Sequence, residues 1–342
     1  MNTESTVFEL SSMINTTLVP HSAFNNAVER IEQCFRYASI SADPICLPLH
    51  GESRTGKTTV LDEVLRAHPA TRDSDCLRVP ILRVSTPSKP TVKGLVELLL
   101  QAIGDPRYYV GTENIKTSRL KLLMQEAGTR MVVIDEFQHF VDKGSLKVMH
   151  HVADWLKVFV DDAGVALVVS GLPICQAVVD QNEQLRGRFL SPVVMPRFDW
   201  SNEQQRGEFV ATLAAFRMTL NQHFDLPQFD NANMAFRFYV GSGGLIGYVV
   251  KFLKMVVWNA VDSKVTCISL KDLHSAHLQS VWNGDNATLG PSPFSKNFKS
   301  EPTEASLANA KFVGVPAAPA PKGRASKKKA KSPTMNSTLA AA

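Results

Sequence analysis

GESRTGKT, residues 51–58, fits the pattern G-x-x-x-x-G-K-[ST], and its reading decides the fold. The apolar run ICLPLH (45–50) leads into it and a helical pattern over 57–67 leads out. That strand–loop–helix context lets backbone N–H groups and the positive helix end cradle phosphate oxygens. Gly51 and Gly56 permit the turn, and Lys57 is expected to reach the β- and γ-phosphates. The Thr58 hydroxyl is placed to ligate Mg2+. Glu52, Ser53, Arg54, Thr55 and Thr59 complete the stretch expected to line the nucleotide, so the loop predicts ATP with magnesium as the ligand.

A second run, MVVIDEF (131–137), reads as a buried strand ending in two acids. Asp135 is expected to hold the magnesium ion, directly or through water. Glu136 is expected to orient and deprotonate the attacking water. A module that only senses occupancy has no need of that second acid. QLRGRF (184–189) carries two arginines just before another apolar run. An arginine finger reaching a neighbour's γ-phosphate is one reading, with Arg188 the expected finger and Arg186 the alternative. A solvated helix end, where cations suit the dipole, is the plain structural reading.

Working outward, strand-like runs at 45–50, 79–84, 131–135, 165–170 and 192–195 alternate with helical patterns at 57–67, 91–104, 114–127, 145–162 and 175–186. This alternation predicts an α/β fold, a parallel sheet flanked by helices. Beyond Trp200 only helical patterns follow, at about 202–222, 230–240, 244–260 and 269–282. The expected domains are an N-terminal helical segment 1–43, a nucleotide-binding core 44–200, a small all-helical lid 201–285 and a disordered tail 286–342. The tail is rich in Pro, Ala, Ser and Lys. It holds nine Lys/Arg against Glu301 and Glu304, a charge of +7, so the overall +5 leaves −2 on residues 1–285.

The 342 residues, 44% apolar, can bury a core without staples. Five scattered cysteines with no CxxC argue against a disulfide framework or structural zinc. No apolar run approaches the roughly 20 residues that span a bilayer, and MNTESTVFEL lacks the basic start of a secretory signal. A soluble protein of a reducing compartment, without a membrane partner, is expected.

Taken together, GESRTGKT, VVIDEFQHF (132–140), LRGRF, the segment TPSKPTVKGLVELLLQAIGDP (86–106), SGLP (170–173) and a helical lid resemble the AAA+ ATPases, and more narrowly the TnsC/TniB regulators of transposition, including those of CRISPR-associated transposons. The resemblance covers roughly 20–285. It implies a cytoplasmic, DNA-associated ATPase that assembles as a ring or helical filament on duplex DNA. It also implies partners: a DDE-type transposase and a TniQ-like target selector with an RNA-guided complex. ATP binding would drive assembly and hydrolysis disassembly. A polar sensor contact would come from Ser170, where the subgroup tends to have Gly-Thr. Tyr248 stands where many relatives carry a sensor arginine, which implies slow or partner-dependent hydrolysis. Lys89 and Lys93 match basic positions facing the DNA backbone, and Arg107 with Thr112 would form a second contact. Lys93 lies in a helix's first turn, where the dipole disfavours a cation by about 0.3–1 kcal/mol and a phosphate would offset that cost. With no groove-reading motif, binding is expected to be largely sequence-independent. Two alternatives are another AAA+ DNA ATPase, such as a helicase loader or initiator, and a signalling or remodelling ATPase that does not act on DNA.

Overall fold

Each of the five apolar runs becomes a strand of one parallel sheet. The computed structural model describes residues 3–41, 43–72, 77–281 and 291–315. Its strands are β1 (Cys46–Gly51), β2 (Thr71–Arg72), β3 (Leu77–Arg78), β4 (Ile81–Ser85), β5 (Met131–Asp135), β6 (Ala166–Gly171) and β7 (Val193–Met195). The sheet order is β4-β5-β6-β1-β7, every pairing parallel, while β2 and β3 form a short exposed antiparallel hairpin. β1, β5 and β6 are buried at every position, as a sheet covered on both faces requires. Helices Val92–Ile103, Glu113–Glu126 and Leu146–Ala163 cover one face, and Ser22–Tyr37 with Lys57–Ala67 the other. Because the strands are parallel, Gly51, Asp135 and Gly171 all emerge on one edge, where ligands of open α/β sheets bind.

Helix 145–162 is a single element, with Val152, Ala153, Leu156, Phe159 and Val160 buried and Leu146 exposed at its capped start. The helix expected at 175–186 is instead a tight turn, Pro173–Cys175, followed by Gln176–Val179 and Glu183–Arg186. Asn182 is the reason for the break: its side chain caps a new helix by accepting the Leu185 N–H at 2.9 Å.

The lid consists of helices Glu203–Leu220, Ala232–Ser242, Ile246–Asp262 and Leu270–Ser280 around an aromatic core that includes Phe209, Phe236, Phe238 and Phe252. Two features depart from the expected domains. The first N-terminal helix, Thr3–Thr16, buries Leu10 and Ile14 in the lid core, so the N-terminal segment is divided between lid and sheet. Residues 291–315, expected to belong to the disordered tail, pack on the lid as well. Phe294 lies 4.8 Å from Phe252 and 5.2 Å from Phe238, ring to ring, and helix Glu304–Ala310 starts in a capping box at Thr303. Arg237 fastens the segment by donating to the Ser295 carbonyl at 2.9 Å. Two phenylalanines, Phe294 and Phe298, outweigh the surrounding Pro and Ser; residues 282–290 and 316–342 lie outside the described part. No single helix among the described residues is long and apolar enough to cross a membrane.

Candidate nucleotide site

Gly56 has φ +99°, a left-handed conformation that glycine adopts without steric cost, and it opens helix Lys57–Ala67. Behind it lies a cavity of about 510 Å³. Ser53–Thr59 and Glu136 line its phosphate end. Its other walls come from two places: the N-terminal stretch around Leu18, Val19 and His21, and the lid residues Ile246, Gly247 and Val250. Gly51 and Glu52 contribute through their carbonyls, which accept from Lys57 Nζ at 2.8 Å each. Burial lowers the Lys57 pKa, opposed by the Glu136 and Asp135 carboxylates. Thr55 is folded inward, its Oγ1 donating to the Glu52 carbonyl at 2.9 Å, while Thr58 and Thr59 are exposed.

Asp135 is nearly buried at the end of β5. Its Oδ1 accepts the Glu136 N–H at 2.9 Å and its Oδ2 accepts from Arg83 Nη2 at 2.8 Å. Arg83 also pairs with Asp62 on helix Lys57–Ala67. Thr58 precedes Asp62 by four residues, so the two share one face of that helix. One carboxylate and one hydroxyl are the hard-oxygen donors that suit Mg2+, which keeps waters and takes its remaining ligands from phosphate. Among the described residues no cluster of three His, Cys, Asp or Glu could form a metal cage, so the set fits an ion that arrives with a nucleotide.

Glu136 has φ +54°, which only a few per cent of non-glycine residues adopt. Its Oε2 accepts from Gln138 Nε2, and Gln138 Oε1 accepts the Leu172 N–H at 3.2 Å. The acid is thus tied to the end of β6 by a buried amide that the sequence alone does not single out, although Gln138 lies inside VVIDEFQHF. Ser170 Oγ is buried without a hydrogen-bond partner among the described residues, on the sheet face that carries Asp135. His50, next to Gly51, is buried too; burial first, then Lys57, lowers its pKa. Burial pushes the thiols of Cys34, Cys46 and Cys175 up to about 11, 12 and 12, far from a reactive thiolate.

The other expected residues lie apart. Arg188 sits at the opposite end of β1 from the loop: its carbonyl accepts the Cys46 N–H, about 16 Å along the strand from Gly51. Its guanidinium holds Asp161 with two bonds of 2.6 Å. Arg186 is exposed and its side chain has no partner among the described residues. Lys89 and Lys93 are both exposed at the phosphate edge, Lys93 in the first turn of helix Val92–Ile103 behind its Thr91 cap. Arg107 and Thr112 lie past the far end of that helix, about 16 Å from Lys93 along its axis. Arg119 orders their loop, donating to the carbonyls of Arg107 and Val110, and the Thr112 hydroxyl caps the next helix. The two sets therefore do not form one patch within a single chain.

At the lid, Tyr248 opens helix Ile246–Asp262 and its ring faces the Arg54 guanidinium, 4.8 Å from its centroid. Arg197, just after β7, pairs with Glu52 and donates to the carbonyls of Gly243 (3.2 Å) and Lys311 (3.1 Å). Phosphate loop, lid and C-terminal segment meet at that arginine, which the sequence did not single out.

A sequence model described as Bacterial TniB protein matches residues 10–200. Among solved structures, Cdc6p from Pyrobaculum aerophilum superposes with a TM-score of 0.59 at 12% identity, covering 82% of this chain and 74% of that one. The Aeropyrum pernix ORC2 protein in ADPNP–ADP complexes gives 0.55 at 14% identity, with 79% and 70% covered. The Aeropyrum pernix ORC1 protein in complex with DNA gives 0.52 at 14%, with 77% and 66% covered. At these identities the likeness is one of fold alone. No curated protein sequence matches the chain.

Proposed function

The chain belongs to the bacterial TniB family, and from that premise we propose that it is an ATP-dependent, DNA-associated regulator of transposition whose output is an assembly state. One observation carries the ATPase half: a single cavity is lined by the phosphate loop, by Glu136 and by the lid residues Ile246–Val250. A nucleotide seated there touches both bodies, so its arrival and hydrolysis are felt by the lid. Lys57 leaves the two carbonyls it now holds for the phosphates, and Glu136 takes the proton of the attacking water. Magnesium, held by Thr58 and Asp135, would neutralise charge on the phosphates. Ser170, buried behind the cavity lining with a hydroxyl that has no partner among the described residues, would serve as the polar sensor.

The DNA half rests on the family and on Lys89 and Lys93, exposed at the phosphate edge with no acidic partner among the described residues. The folded body is weakly acidic, so a few lysines must be repeated by oligomerisation to hold a phosphate backbone. We expect the full chain, short duplex DNA and a non-hydrolysable ATP analogue to form rings or filaments by electron microscopy, and ADP to give none. Changing Lys89 and Lys93 together to Ala should remove the ATP-dependent assembly on DNA. Removing 316–342, which carries +6, should only flatten the ATP-independent dependence of binding on salt, by about 0.9 in log–log slope for each phosphate no longer neutralised. Assembly that ignores DNA would instead favour a remodelling ATPase that works without it.

Neither arginine of LRGRF reaches its own chain's phosphate loop, so a finger drawn from this pair acts on a neighbour. Arg188 is held by Asp161, whereas Arg186 is uncommitted, and we therefore assign the finger to Arg186. Arg186→Ala should bind nucleotide normally, lose most ATPase, and regain activity when mixed with Lys57→Ala protein. Arg188→Ala should chiefly lower thermal stability. The reverse pattern returns the finger to Arg188.

A further inference from the structure

Among the residues lining the nucleotide cavity only two carry a permanent positive charge, Lys57 and Arg54. The arginines around the phosphate loop are otherwise committed to carboxylates: Arg83 to Asp62 and Asp135, Arg197 to Glu52. Arg54 is held differently. Its guanidinium lies over the Tyr248 ring, a contact that uses the face of the cation and leaves its N–H donors, which lie in the plane, without a partner among the described residues. Its backbone has φ +70°, strained for a non-glycine residue, and the lid holds it there. The Arg54 carbonyl accepts the Gly247 N–H at 3.0 Å, and a side chain at 247 would come within 2.7 Å of Arg54 Cβ. Tyr248 is braced in turn, since a side chain at 314 would lie 2.7 Å from its Cε2. Meanwhile the first turn of the lid helix, IGYVV (246–250), offers no cation of its own.

We propose that Arg54 supplies the cation with which the lid engages the terminal phosphate of ATP, and that Tyr248 is its positioning residue. The inference rests on the ATP-site reading above and deepens it. A guanidinium stacked on one face and open along its edge matches the planar, two-point geometry of phosphate oxygens. The terminal phosphate is the part of ATP that ADP lacks, so this arginine separates the two nucleotides. Because the same residue is hydrogen-bonded to Gly247 and stacked on Tyr248, loss of that phosphate is transmitted to the lid through contacts already in place.

The test is equilibrium binding of fluorescent ATP and ADP analogues to the full chain. Arg54→Gly keeps the left-handed backbone and removes only the side chain. It should weaken ATP about 10–100-fold, the range of a lost charged hydrogen bond, and leave ADP within about twofold. Arg54→Lys, which keeps the charge without the fork, should fall between. Tyr248→Leu should shift ATP in the same direction by a smaller factor, and Tyr248→Phe, which keeps the ring, should recover most of that loss. Equal losses for ATP and ADP in Arg54→Gly, or no loss for either, overturn the assignment of Arg54. Unchanged ATP binding in Tyr248→Leu overturns its positioning role. An unmodified chain that binds neither nucleotide overturns the ATP-site reading, and this inference with it.

Discussion

Glu136→Gln is expected to bind ATP as the unmodified chain does and to hydrolyse it about 10²–10⁴-fold more slowly, the usual contribution of a general base. The substitution preserves shape and the acceptor that faces Gln138, so the strained backbone at φ +54° has the same support. It removes only the ability to take a proton. Lys57→Ala should show the opposite pattern, loss of binding itself, because Lys57 is the cation seated on the Gly51 and Glu52 carbonyls inside the loop. Steady-state phosphate release together with nucleotide binding separates the two. Phosphate release from Glu136→Gln within twofold of the unmodified rate would take Glu136 out of the reaction.

A second large effect is expected far from the nucleotide. Lys116 is fully buried in helix Glu113–Glu126 and its ammonium pairs with Glu97 of helix Val92–Ile103. Glu97→Ala leaves that charge without a partner among apolar residues, which costs about 3–5 kcal/mol, toward the lower end here because water reaches Glu97. Urea denaturation should show the midpoint fall by the corresponding amount. Replacing both residues with apolar ones, Glu97→Leu with Lys116→Met, should restore most of it, since a buried pair often contributes little beyond its apolar isostere. If the single substitution is silent, the lysine finds water or another acid.

The α/β half of the fold was legible because its signals are local. Short, largely apolar runs between helical patterns place β1, β4, β5, β6 and β7 to within about two residues, and the phosphate loop carries its chemistry in eight consecutive positions. What escaped the sequence is set by distant partners. Helix Thr3–Thr16 makes sense only against lid residues some two hundred positions later, and Phe294 only against Phe238 and Phe252. The same holds within the site. Asp135 and Glu136 announce themselves at a strand end. Arg83 and Arg197, however, acquire meaning from carboxylates on other elements, and Gln138 from its reach to both Glu136 and Leu172. Arg188 illustrates the converse: the motif was visible, but the bidentate pairing with Asp161 that occupies it was not.

The C-terminal segment carries a mechanical implication. Gly314 abuts Tyr248, and the carbonyl of Lys311 is bound by the arginine that grips Glu52 of the phosphate loop. The six uncompensated charges of 316–342 begin immediately downstream. The described segment that ends at residue 315 is therefore anchored beside the nucleotide pocket rather than at an idle end of the lid. Tension applied along it, by a polyanion or by a protein holding the tail, arrives first at the junction of lid and phosphate loop, in series with the bound nucleotide.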